Sequence, residues 1–103
     1  MLFANTYSAM QVVYPDPEII VPNLRAFRAQ VGLALAAADA VIVDLRATKR
    51  VDSWGLLEIL DLAGTFAPRL AFAAPDYLYE ALRRIDPEVN LGARTYVPFS
   101  PPT

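Results

Sequence analysis

The residues able to do chemistry concentrate in one stretch, residues 41–60 (VIVDLRATKRVDSWGLLEIL), which holds Asp44, Lys49, Arg50, Asp52 and Ser53. Beyond it the inventory is thin, because the chain has no cysteine and no histidine. That removes disulfides, thiol nucleophiles and zinc–thiolate sites. It also removes the usual imidazole metal ligand and the side chain best matched to proton transfer near neutral pH. Asp44 and Asp52 are the pair that general acid–base chemistry would use, yet Asp44 reads as a strand end and no nucleophile or ligand set stands beside it. Gly32, Gly55, Gly64 and Gly92 lie too far apart to build a phosphate-cradling loop. No catalytic residue, metal or cofactor is expected, and the chain reads as a non-enzyme.

What remains is a hydroxyl beside a carboxylate at the mouth of an apolar helix. Asp52 and Ser53 are both favoured N-cap types, so either would satisfy orphan N–H groups there. The same place suits a phosphoryl group on Ser53 Oγ, because free backbone N–H groups and the positive end of the helix dipole meet at it. Phosphate would add about −1.5 to −2 charge to an apolar surface bearing Trp54. Trp54 is either a core residue or an exposed anchor, and tryptophan is enriched among interface hot spots. Lys49 and Arg50 are either a solvated loop or neighbours of that phosphate.

The elements that must position these groups follow from periodicity. Residues 10–14 and 19–21 read as short strands, separated by Pro15-Asp16-Pro17, and residues 2–7 leave a further strand open. Asn23 reads as the N-cap of a helix whose stripe is Leu24, Phe27, Val31, Ala34, Leu35 and Ala38. The near-unbroken run at 40–45 (AVIVDL) suits a strand covered on both faces. A second helix over 53–64 closes near Gly64, with Glu58 and Asp61 as its main contacts with water. Its apolar residues surround most of the cylinder, so part of that surface should meet something outside the core. Residues 69–74 read as a strand. Pro75-Asp76 starts a third helix on the stripe Leu78, Ala81, Leu82 and Ile85, and residues 94–99 give a last strand. This order implies an α/β layer with right-handed crossovers.

At 103 residues, with 55% apolar and 19% charged side chains, the chain is one domain's worth of foldable sequence. Residues 1–99 read as a single domain and residues 100–103, Ser-Pro-Pro-Thr, as a proline-rich tail. Its longest apolar stretch, residues 31–38, falls short of the ~18 residues of a membrane span. The first residues lack the basic-then-apolar pattern of a secretion signal, so a cytoplasmic protein without membrane insertion is expected. A net charge of −2 with scattered cations argues against nucleic acid.

Val43-Asp44-Leu45 followed by Asp52-Ser53-Trp54-Gly55-Leu56 and Ile59-Leu60 resembles STAS domains of the anti-sigma-factor antagonist type. In that family an apolar-Asp-Leu strand end precedes an Asp-Ser-x-Gly-Leu helix start. The resemblance covers about residues 40–99. It implies a STAS-like α/β fold: a central mixed β-sheet of four to five strands with three to four helices packed against it. It also implies a signal-transduction module in transcription regulation, a phosphoprotein whose Ser53 is modified by an anti-sigma-factor-type serine kinase. Asp52, Trp54, Gly55, Leu56, Leu57, Lys49, Arg50 and Asn23 are the corresponding candidates for partner binding. Where the family often has a second serine this chain has Trp54, as in stressosome-type STAS proteins. The alternative is therefore a constitutive STAS subunit of a stressosome-like scaffold or of a lipid or anion transport complex. Another STAS-binding protein or a second copy of the chain would then be the partner.

Overall fold

The computed structural model describes residues 10–92. Its elements in chain order are β1 (Met10–Val13), β2 (Glu18–Ile19), a 3-10 turn (Val21–Asn23), α1 (Leu24–Ala37), β3 (Ala40–Asp44), β4 (Arg50–Val51), α2 (Ser53–Phe66), β5 (Leu70–Ala73) and α3 (Asp76–Ile85). The expected strands at 10–14 and 69–74 are present but trimmed at their ends, whereas the one expected at 19–21 moves to Glu18–Ile19 because Ile20 bends and Val21 enters the 3-10 turn set by Pro22. The strands expected at 94–99 and open at 2–7, and the tail at 100–103, lie outside the described residues.

Two sheets result, one of order β1-β3-β5 and one pairing β2 with β4. Every pair among the described residues is parallel, and the segments at 2–7 and 94–99, on which the expected mixed sheet would depend, lie outside them. The parallel direction follows from the connections: α1 separates β1 from β3 and α2 separates β3 from β5, and a helical crossover returns the chain in the same direction, whereas antiparallel neighbours need a hairpin. Beyond β5, Gly92 bridges Phe72 in parallel with a φ of +77°, a conformation glycine adopts without a Cβ penalty.

Alternation along the strands separates the core from the opposite sheet face. Val13, Val43 and Phe72 share one register row and are buried, while Val12, Ile42 and Ala71 form the next row and are only half-buried. The buried rows pack with Phe27 and Val31 of α1, Ile59 and Leu62 of α2, and Leu78 and Leu82 of α3 in one apolar cluster. The α1 stripe read from 3.6-residue spacing is therefore the stripe that is buried. Helix α2 continues past Gly64 to Phe66, because Gly64 stays helical and Pro68, with Ala67 extended before it, ends the helix instead.

Arg69, at the entrance to β5, closes α1. Its Nη2 donates to Leu35 O (2.6 Å) and Ala38 O (3.1 Å), and its Nε to Asp39 O (3.1 Å). Leu35 O and Ala38 O lie at the α1 C-terminus, where carbonyls are left unpaired, and are met here by a cation that also suits the dipole; Asp39 O belongs to the chain just beyond it. Arg69→Met keeps most of the stem and removes the donors. It is expected to cost about 1–2 kcal/mol in urea unfolding; an unchanged midpoint would show that water replaces Arg69 without loss.

Candidate functional site

The site is built where two distant segments meet. Ile19 pairs with Val51 and Glu18 with Arg50, so the small β2–β4 ladder brings the entrance of α1 against the entrance of α2. Asp52 follows β4 with extended backbone (φ −87°, ψ 179°) and caps α2: its Oδ1 accepts from Gly55 N at 2.7 Å. Its Oδ2 accepts from Val21 N at 2.9 Å, across 31 positions of sequence. The Val21 N–H first, and then the Gly55 N–H, hold the Asp52 carboxyl below the ordinary carboxylate range, with the Arg50 charge assisting.

The choice left open between two caps is thus settled for Asp52. Ser53 becomes the first helical residue and is exposed, its hydroxyl unused by the cap. Trp54, the next residue, is 62% exposed, and Leu57 one turn on is 45% exposed. Both belong to the surface. Leu56 packs on the core from a half-buried position, so of the two leucines proposed for partner contact only Leu57 is an outward one. Gly55 is buried against the β2–β4 ladder, where an added Cβ would press on Ile19 O and come within 2.8 Å of Val51 Cγ1.

Two expectations change, those for Asn23 and Glu58. Asn23 stands at the N-cap position of α1 but makes no capping bond; its Nδ2 donates to Glu18 O (3.1 Å) and so braces β2. The physical reason is backbone geometry: Asn23 closes a 3-10 turn with αR dihedrals, not the extended ones a capping side chain needs. Lys49 and Arg50 are both exposed, and Arg50 faces Glu18 (3.4 Å) across the ladder. Asp61 meets water as expected, its side chain 60% exposed, whereas Glu58 does not; both are joined by Arg28 of α1, whose Nη2 lies 2.6 Å from Glu58 Oε2 and 2.9 Å from Asp61 Oδ2. Glu58 is only 16% exposed, and its contact is one of charge without directed hydrogen-bond geometry.

Asp44 and Asp52 do not form an acid–base pair. Burial pushes the Asp44 carboxyl up, but hydrogen bonds from the Arg46 guanidinium and Arg46 N outweigh it and hold the group below its usual range. Both carboxylates are anions committed to separate partners. An open depression of about 360 Å³ beside Asp44, lined also by Tyr14, Arg46 and Thr48, sits at the carboxyl ends of β1 and β3. Among the described residues no group of three or more acidic side chains is arranged to hold a metal ion, and no helix is long and apolar enough to cross a membrane.

Sequence reading missed Val21. It is 53% exposed, yet its amide is tied to the carboxylate that caps α2. No local pattern could have found it, since Pro22 and Asn23 indicate only a turn. Comparisons of the chain with protein-family models, with curated proteins and with solved structures return no significant match.

Proposed function

We propose that this chain is a non-enzymatic, protein-binding switch, similar to a STAS-type anti-sigma-factor antagonist and cytoplasmic like its kinase partner. Ser53 is its phosphoacceptor, and Trp54 and Leu57 are the exposed anchors of its docking edge. The observation that supports this best is the division of labour at α2: Asp52 satisfies the helix end, and Ser53 stands exposed beside an exposed tryptophan. A hydroxyl so placed accepts a phosphoryl group without costing the helix its cap. The added charge then stands on the surface a partner must cover, where like charge or lost fit releases it. The chain is the substrate of a serine kinase in this reading, not a catalyst.

Phospho-mass analysis of protein purified from its own cells tests the proposal. One phosphoryl group on wild type and none on Ser53→Ala is the expected result, and an unmodified mass across growth conditions would sink the switch. The exposed apolar edge also fits the second reading, a constitutive subunit of a scaffold or transport complex. Trp54→Ala is expected to weaken the native complex by about 2 kcal/mol, roughly thirtyfold in dissociation constant, while leaving the folded protein intact. If Trp54→Ala does this and Ser53→Ala changes neither mass nor assembly, the constitutive role holds.

A further inference from the structure

The geometry points to Asp52 as the positioning residue through which Ser53 controls the docking surface: Asp52 Oδ2 seats Val21 beside α2, and a phosphoryl group on Ser53 unseats it. The second half rests on the reading of Ser53 as a phosphoacceptor; the first stands on the hydrogen bonds alone. Two segments remote in sequence share one carboxylate, with Val21 N on Oδ2 at 2.9 Å and Gly55 N on Oδ1 at 2.7 Å. Asp52 N in turn reaches Ile19 O at 3.3 Å, so the aspartate grips the strand and the turn that follows it. Val21, Trp54 and Leu57 are all large, apolar and exposed, and the latch is what adds Val21 of the 3-10 turn to a surface otherwise made by α2.

A phosphoryl group on the adjacent Ser53 would bring nearly two negative charges next to the Asp52 carboxylate and three strong acceptors among the N–H groups of the first turn. Of the two donors on Asp52, Gly55 N lies in that first turn and Val21 N lies outside it. Repulsion between the two anions acts on both bonds, and the weaker hold is the one on Val21, because Gly55 N belongs to the same helix turn whereas Val21 must be kept against chain entropy. Arg50 of β4 offers the phosphate a cation, drawing it to the ladder side, where Glu18 of β2 is its ion-pair partner; the other charged groups on the elements packed here are Arg25 and Arg28 of α1 and Glu58 and Asp61 of α2, the last three joined to one another.

Amide NMR on the full chain tests this, with phosphoserine placed at position 53 during translation so that no kinase is required. In unmodified protein the Val21 and Gly55 amide protons are expected to move together as pH falls, with one midpoint below the ~3.9 of a free aspartate. The shared midpoint of the two amides and its disappearance in Asp52→Asn make the assignment to Asp52. In the phosphoserine protein at neutral pH, the Val21 amide is expected at its acid-form position and to exchange with solvent about tenfold faster. A Val21 amide that ignores the Gly55 titration overturns the latch, and one that titrates but does not move with phosphoserine overturns its control by Ser53. If cells never phosphorylate Ser53, the function proposed above fails while these spectra still decide the latch.

Discussion

Gly55→Ala is expected to lower stability by about 3 kcal/mol in denaturant unfolding. The methyl group would press on Ile19 O and approach Val51 Cγ1 to 2.8 Å, and the first of these neighbours is backbone in a paired strand, not the far end of a flexible side chain. Relief requires α2 to move off the β2–β4 ladder, which would also stretch the bond from Asp52 N to Ile19 O and the latch to Val21. The other two helical glycines are internal controls. A Cβ at Gly32 or Gly64 meets nothing within 4 Å, so alanine there should stabilise by about 0.5–1 kcal/mol through helix propensity. If Gly55→Ala behaved like Gly32→Ala, the seating of α2 against Ile19 would be wrong.

Phe72→Ala should cost still more, about 3–5 kcal/mol. Phe72 is fully buried in β5, level with Val43 in the sheet, and its N–H donates to Leu91 O at 2.8 Å. Removing the ring leaves a cavity beneath helices that cannot collapse without shifting the strand. A domain of this size has on the order of 5–15 kcal/mol of stability in total, so the variant should lose a large fraction of it. Guanidinium unfolding followed by far-UV circular dichroism checks it, and a cost below about 2 kcal/mol would mean that the ring is not packed as the structure places it. The contrast with Trp54→Ala separates the two roles of large apolar residues here: Phe72 carries stability, whereas exposed Trp54 is expected to carry binding and little stability.

The local features were legible because they are written in adjacent residues. The spacing of Phe27, Val31, Ala34 and Leu35 gave the buried face of α1, and the β-branched run at 40–44 gave the central strand. Pro75-Asp76 marked the start of α3, and Asp52-Ser53 marked the mouth of α2. Each depends on dihedral preferences and on periods of two or 3.6 residues, which a chain expresses over one or two turns. The class of fold followed from their order.

Tertiary structure decided the rest. Strand order and register in the sheet were not legible, because pairing is chosen between segments some thirty residues apart and depends on which edge a crossover reaches. Which of Asp52 and Ser53 caps α2 was undetermined by type, since both residues cap well; the Val21 N–H on the second oxygen of Asp52 accompanies the assignment. Asn23 carried a capping residue's chemistry but received a 3-10 backbone that sends its amide to Glu18 O. Glu58 looked solvated, but it is half-buried and pairs with Arg28 of another helix. Sequence by itself determined the three helices, the main strands, the buried face of α1 and the place of the serine, because those are properties of short stretches of chain; the small β2–β4 ladder was not among them. Only the folded structure decided which polar groups meet, because a hydrogen bond or ion pair between remote segments forms only after the core has brought them together.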